Sequence, residues 1–438
     1  MPPILPLQRT PRSPDEGELS SLMLAVQDRV RTHYCPKRLG QGSRSLAGIH
    51  APAVAELSEH FTSDRGILAP GYLNLPRYRG AYLLYYLATG VGTVLAALGD
   101  AALNLRGNNG VLRVLDVGAG PLTASLAVAI RTPSDVQLQI TAMDGSGAAL
   151  EEGRALLRAI RPDAEVHLIQ GNLRDGRWMR RTQGRFDLIV CANVLNEWSL
   201  GGDRRHTPGE FVGQLLADLA DESAKALLVE PATRAGSHSL LGVREDLVAA
   251  GQWAVVAPCL SQGPCPLAGS MRDWCHAERP WQRPAILREV DDAIGHQRNT
   301  LKFSYLALTH GSAPADAPAH VYRVIGGSMR QGMTERRYLC APQGRIVARW
   351  LHGQAPDTLL HAWRGDRLTQ LTGRSTTARG PHGEEDVLDV QQRPSSPQGQ
   401  EPAPRPPAAR PQPNTPAGDR SRHPQPPRNS PRPRGPSR

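Results

Sequence analysis

From Val111 to Pro231 the chain alternates short apolar runs with helical stretches, and the first run breaks into a glycine turn. VLRVLDVGAG reads as a strand entering that turn, and Thr123–Ile130 as a helix of small residues. VQLQITAMD, EVHLIQGN, FDLIVCANVL and AKALLVEPA read as four more strands, with helices over GAALEEGRALLRAI and Pro208–Ala220 between them. Strands that alternate with helices are joined by crossovers, and crossovers give a parallel sheet covered on both faces. The spacing therefore predicts a doubly wound α/β domain over 109–250.

The turn decides what such a sheet could hold. In Leu115–Pro121, LDVGAGP, Asp116 ends the strand and Gly118 and Gly120 follow it. Glycines let backbone approach a ligand closely, and the next helix offers its N-terminus. The loop resembles the (L/V)LDxGxG motif of class I S-adenosylmethionine methyltransferases, with Leu122 where many of them carry a third glycine. That resemblance implies a Rossmann-like fold in which Asp116 faces the cationic methionine amine and Asp144, ending the second strand, accepts the ribose hydroxyls. It further implies Asn172 near the adenine and Asn193 at the pocket mouth. No (D/N/S)PP(Y/F/W) run is present, no Pro-Cys follows the fourth strand, and Cys191 reads as a buried apolar residue of LIVCANV. No side chain stands out as a general base, so no catalytic residue is assigned. A binding protein and an active methyltransferase both remain open.

Around this core the composition changes. Residues 1–16 read as disordered and 17–108 as helical. Gly80–Gly99 carries no charge over twenty residues, yet its glycines, tyrosines and threonines favour a buried helix, or two broken near Gly90–Gly92, over a membrane span. The N-terminus lacks a basic start with an apolar run, which argues against a secretory signal, and its acidity around Asp15–Glu18 argues against a mitochondrial presequence; a bacterial cytoplasm is expected, with a mitochondrion the alternative if the chain is eukaryotic. RRYLCA, GRIVARW and LLHAWRGDRL predict a small β module over 318–376. Order is expected to stop near 380. Residues 391–438 hold nine Arg, no Lys, two acids and fifteen Pro, with no large apolar residue, so the net charge of +10 is mostly a property of this tail.

Three of the six cysteines, Cys259, Cys265 and Cys275, fall within seventeen residues of a Cys-rich stretch over 251–310. Their C-x5-C-x9-C spacing is not that of zinc knuckles. With Cys340, sixty-four residues further on, they would suit a four-cysteine iron–sulfur cluster; zinc held by three cysteines and His276 is the alternative. Pro258, Pro264 and Pro266 stiffen the run as a loop.

PC-x5-CPL-x7-WCH after a DVGAGP core, together with LPRYRGAYLLYYL, LVEPAT, KFSYLAL and LCAPQGRI, resembles the methyltransferase-like assembly factors of the mitochondrial small ribosomal subunit and their bacterial relatives. The similarity spans roughly 70–370. It departs at Leu260, where a proline often stands, and at Ala277, where an aromatic is usual. The resemblance implies a 4Fe-4S cluster on Cys259, Cys265, Cys275 and Cys340, clasping the Cys-rich stretch to the β module. It also implies association with the small subunit through its rRNA. The alternatives are an active methyltransferase acting on rRNA or another substrate, and a binder whose cluster gates RNA affinity.

Overall fold

The computed structural model describes residues 16–36, 45–62, 71–198, 207–270, 272–311, 314–369, 371, 373–380 and 383–390. The expected disorder of residues 1–15 and 391–438 lies outside these. Eight strands form the main sheet: β1 (Val111–Val117), β2 (Gln137–Asp144), β3 (Glu165–Gln170), β4 (Phe186–Ala192), β5 (Ala220–Pro231), β6 (Trp253–Ala257), β7 (Ala277–Pro280) and β8 (Thr300–His310). Their order is β3-β2-β1-β4-β5-β8-β6, with β7 also paired to β8. The first five strands run parallel, whereas β8 is antiparallel to β5, β6 and β7. Order reverses between β1 and β4, which opens a crevice at the carboxyl ends of those strands.

Period-two burial sorts each strand between two cores. Leu112, Val114, Leu138, Ile140, Leu188 and Val190 face one cluster; Leu115, Val117, Met143, Ile189, Cys191 and Leu228 face the other. The first cluster is completed by helices α1 (Glu16–Tyr34), α2 (Leu46–Thr62), α3 (Pro76–Ala81), α4 (Leu87–Ala101), α5 (Thr123–Arg131) and α6 (Gly147–Ile160). Beyond the four-residue α7 (Leu195–Trp198), helices α8 (Pro208–Leu219) and α9 (Arg234–Ala249) complete the second. Helix α10 (Ala285–Ile294) joins the N-terminal side through Ile286, Leu287 and Val290.

Several expectations are corrected. The boundary at 250 cuts the sheet: the stretch 251–310 supplies β6, β7 and β8, and its cysteine run connects β6 to β7. The sheet is mixed rather than wholly parallel because β8 inserts between β5 and β6. Pro76–Ala101 is long and apolar enough to cross a membrane, but 72% of its most apolar window is buried against protein, as the buried-helix reading requires. Its irregularity is a π turn at Tyr82–Tyr86, and α4 runs straight through Gly90 and Gly92.

The β module is a second sheet of β9 (Tyr322–Val324), β10 (Met329–Gln331), β11 (Thr334–Ala341), β12 (Gly344–Leu351), β13 (Arg367–Leu368), β14 (Gly373–Gly380) and β15 (Gly383–Val390). It runs past the expected end near 380. Residues 384–390, EEDVLDV, bury Val387, Leu388 and Val390 and pair in parallel with β12. Three charges at the start of that stretch mask the strand. All described residues fall in one compact unit, Met1–Pro394. A buried ion pair crosses it: Arg279 on β7 donates to Asp100 on α4 at 2.6 Å and meets Asp366, beside β13, at 3.2 Å.

Candidate functional site

The glycine loop leaves β1 with Gly118 at φ 68°, Gly120 at φ 52° and Leu122 at φ 59°. A Cβ on Gly118 would lie 1.8 Å from Val194 Cγ2, so only glycine fits. Leu122, at the position of the third glycine, is wholly buried in a left-handed conformation that costs an ordinary residue about 1–2 kcal/mol. Helix α6 approaches the loop so closely that a Cβ on Gly153 would lie 2.4 Å from the Pro121 carbonyl carbon.

Asp116 is 1% exposed. Its Oδ2 accepts from the Ser125 amide at 2.9 Å and hydroxyl at 2.7 Å, which ties β1 to α5. Its Oδ1 is buried without a partner among the described residues. Burial pushes its carboxyl up to about 6, against the Ser125 hydrogen bonds. Asp144 accepts from the Gly120 amide at 2.8 Å and the Ser146 amide at 2.7 Å, so it holds the turn in shape. Burial raises its carboxyl too. Asn172 is exposed and caps the short turn after β3 by accepting from the Arg174 amide. Asn193 follows β4 at φ 59°. All six expected cofactor positions therefore lie at the carboxyl edge of the parallel strands.

Two features of this edge were not expected. Glu230, ending β5 and 1% exposed, accepts from the amides of Val194, Leu195 and Asn196 and anchors the segment after β4. An N-terminal turn, Tyr72–Asn74, lies over the glycine loop: the Ser146 hydroxyl donates to Asn74 Oδ1 at 2.7 Å, and Leu73 lies beside Gly120. The capping role of Glu230 depends on contacts thirty-four to thirty-six residues away. Cys191 is fully buried as expected, and burial drives its thiol far up. A wider groove of about 660 Å³ lies at the opposite edge of the sheet, lined by Arg185, Trp253 and His310 among others, and none of the candidate residues reaches it.

The four cysteines meet. Cys259, Cys265 and Cys275 on the β6–β7 connection and Cys340 on β11 all line one cavity of about 70 Å³. The connection is fixed from several sides. Trp274 donates to the Ala232 carbonyl, the amide of Ala317 donates to the Leu260 carbonyl, and Arg345 of β12 donates to Asp273. All four thiols are free and partly buried. Burial pushes Cys265 up to about 11 and Cys340 up to about 12, and raises Cys275. Ala277 is explained by its neighbour, since Gly365 packs against it with no room for an aromatic ring.

Among the described residues no group of three or more His, Cys, Asp or Glu is gathered tightly enough to hold one metal ion. The four cysteines line a common space. The space is large enough for several waters, whereas zinc draws its sulfurs to about 2.3 Å. The cavity also contains buried polar atoms without partners: Arg244 Nε, Arg323 Nε and His276 Nδ1. Arg364 donates to His276 Nε2 at 3.0 Å, closer than the Glu278 carboxylate at 3.4 Å. An arginine can only donate, so the ring proton belongs on Nδ1. His276 thus presents an N–H, and its Nε2 lone pair is taken.

The strand order, the glycine turn at its switch point and the antiparallel β8 define a Rossmann-like α/β fold. The chain belongs to the family described as mitochondrial small ribosomal subunit Rsm22, whose model matches residues 78–355. That description supports a ribosomal-subunit partner and the mitochondrial side of the expected compartment, and gives no support to a bacterial cytoplasm. Solved structures similar to this chain include precorrin-6y C5,15-methyltransferase from Geobacter metallireducens, at 14% identity over 50% of this chain and 86% of that one, TM-score 0.31. Others are the ribosomal protein L11 methylase of Lactobacillus delbrueckii subsp. bulgaricus (14%, 51% and 79%, TM-score 0.29) and Aeropyrum pernix fibrillarin with natively bound S-adenosyl-L-methionine (10%, 50% and 76%, TM-score 0.29). No curated protein matches the sequence.

Proposed function

We propose that this protein is a small-ribosomal-subunit assembly factor that binds rRNA, carries a 4Fe-4S cluster on Cys259, Cys265, Cys275 and Cys340, and holds S-adenosylmethionine at its glycine loop. The observation that carries this reading is the meeting of four cysteines from two distant segments around one cavity lined by unpartnered N–H donors. The sulfurs of an iron–sulfur cluster accept such hydrogen bonds. The cluster supplies a cross-link and one-electron chemistry when bound; Cys340 contributes the β module's share of that link. His276 acts as a donor beside the group rather than a ligand, which weighs against zinc on three cysteines and a histidine.

For S-adenosylmethionine, Gly118 and Gly120 give close backbone approach, Asp144 keeps lone pairs for ribose hydroxyls, and Asp116 offers its spare oxygen to the amine. Asn172 and Asn193 complete the edge. No side chain there is placed as a general base, so the reading is of a binding protein. Three experiments test it. Calorimetry of the full chain with S-adenosylmethionine should show binding that Asp144→Ala abolishes; absence of heat with the wild type removes the cofactor from the account. Co-sedimentation should place the protein on maturing small subunits, and rRNA from a deletion strain should keep its methyl marks. A single missing mark would make the protein an active methyltransferase.

A further inference from the structure

Arg323 belongs to no motif, yet it lines the thiol cavity. It sits in the middle of β9, in the run VYRVI, and is 3% exposed. Its ladder partner on β11 is Cys340. Its Nη1 donates to the carbonyl of Pro258, the residue before Cys259, at 3.3 Å and to the Tyr305 hydroxyl at 3.5 Å. It also interacts with the Cys275 sulfur through charge and hydrogen bonding. One guanidinium therefore touches, or stands opposite, the segments of three of the four cysteines.

Its charge is the anomaly. Among the described residues no carboxylate lies within ion-pair distance of Arg323. Asp100 favours the Arg323 charge from beyond ion-pair distance, but it pairs directly with Arg279, as does Asp366, while Glu278 faces Lys302 and Arg364. Arg364 and Arg367 add further positive charge nearby. Arg244, the other arginine of the cavity, already has Glu245. A buried cation is costly to maintain without a direct counter-charge, and among the described residues Arg323 Nε has no acceptor.

We propose that Arg323 is the positioning residue and counter-charge of the group held by the four cysteines, drawing the Cys259–Cys275 loop against the strand of Cys340 and raising the group's reduction potential. This rests on the iron–sulfur reading above. Four thiolates around a cubane leave a net negative charge that grows on reduction, so a fixed cation beside them favours the reduced form. Arginine suits the task because its rigid fork can donate to a carbonyl and a sulfur at once.

The test compares full-length wild type, Arg323→Lys and Arg323→Met, purified anaerobically and titrated with dithionite as the one-electron donor. Arg323→Met should shift the oxidised-to-reduced equilibrium at least tenfold toward the oxidised form, about 59 mV for one electron, and lose iron to a chelator at least tenfold faster. Arg323→Lys should keep most of the potential and still lose iron faster, because it retains the charge without the fork. Should Arg323→Met fail to fold, the lysine variant decides through its iron-loss rate. An unchanged potential in the methionine variant, or a wild-type iron-loss rate in the lysine variant, overturns the assignment of Arg323 alone. A wild type without iron and sulfide refutes the iron–sulfur reading itself.

Discussion

Single residues at the sheet edge bury ionisable groups, and Asp116 makes the case most directly. Burial holds its carboxyl near 6, above the ~3.9 of an unfolded aspartate. The folded state therefore retains a proton that the unfolded chain releases, and stability from this group is present below about 4 and lost as pH rises through about 6. Asp116→Asn keeps an acceptor for Ser125 and removes the ionisation. Its stability relative to wild type should grow from about pH 4 to about pH 7 by roughly 2–3 kcal/mol, read from urea unfolding at several pH values. A difference that does not change with pH would contradict this. Asp116, Gly118, Gly120 and Asp144 were legible because strand, turn and acid lie within one short run. Glu230 as a cap and Arg323 as a counter-charge were not, because Glu230 caps amides thirty-four to thirty-six residues away and the partners of Arg323 lie seventeen to sixty-five residues away. The available signal for Arg323 was a charged residue between buried apolar ones in VYRVI.

At the scale of elements, the alternation of period-two and period-3.6 patterns located β1 to β5 and their helices, since each strand there is bounded by a glycine, an acid or a cap. It failed where pairing is non-local. β6 and β8 belong to the main sheet only because β8 returns between β5 and β6, and nothing inside either strand specifies that order. β15 was missed because its acidic start outweighed three buried apolar residues. It covers β12 in parallel from Ile346↔Asp386 to Arg349↔Asp389 and is closed by Arg349 donating to both oxygens of Asp389. Truncation after residue 380 should therefore unfold the module, lowering the melting temperature and exposing Trp350, whereas truncation after Pro394 should leave both unchanged. Equal melting temperatures for the two truncations would show that β15 does not belong to the stable fold.

Across the whole molecule, the β module meets the rest through the Arg279–Asp100–Asp366 triad and the thiol cavity. Removing one member of a buried triad leaves charge without a partner, so Arg279→Met should destabilise the protein by about 3–5 kcal/mol in urea unfolding. A loss under about 1 kcal/mol would mean that the triad is dispensable. The account centres on what the cavity holds. The most direct measurement is iron, acid-labile sulfide and zinc content of the full-length protein purified without oxygen. The four-cysteine reading predicts a brown protein with about four iron and four sulfide per chain and no zinc, falling to background in Cys340→Ser as fully as in Cys265→Ser. A colourless protein with one zinc per chain would contradict it.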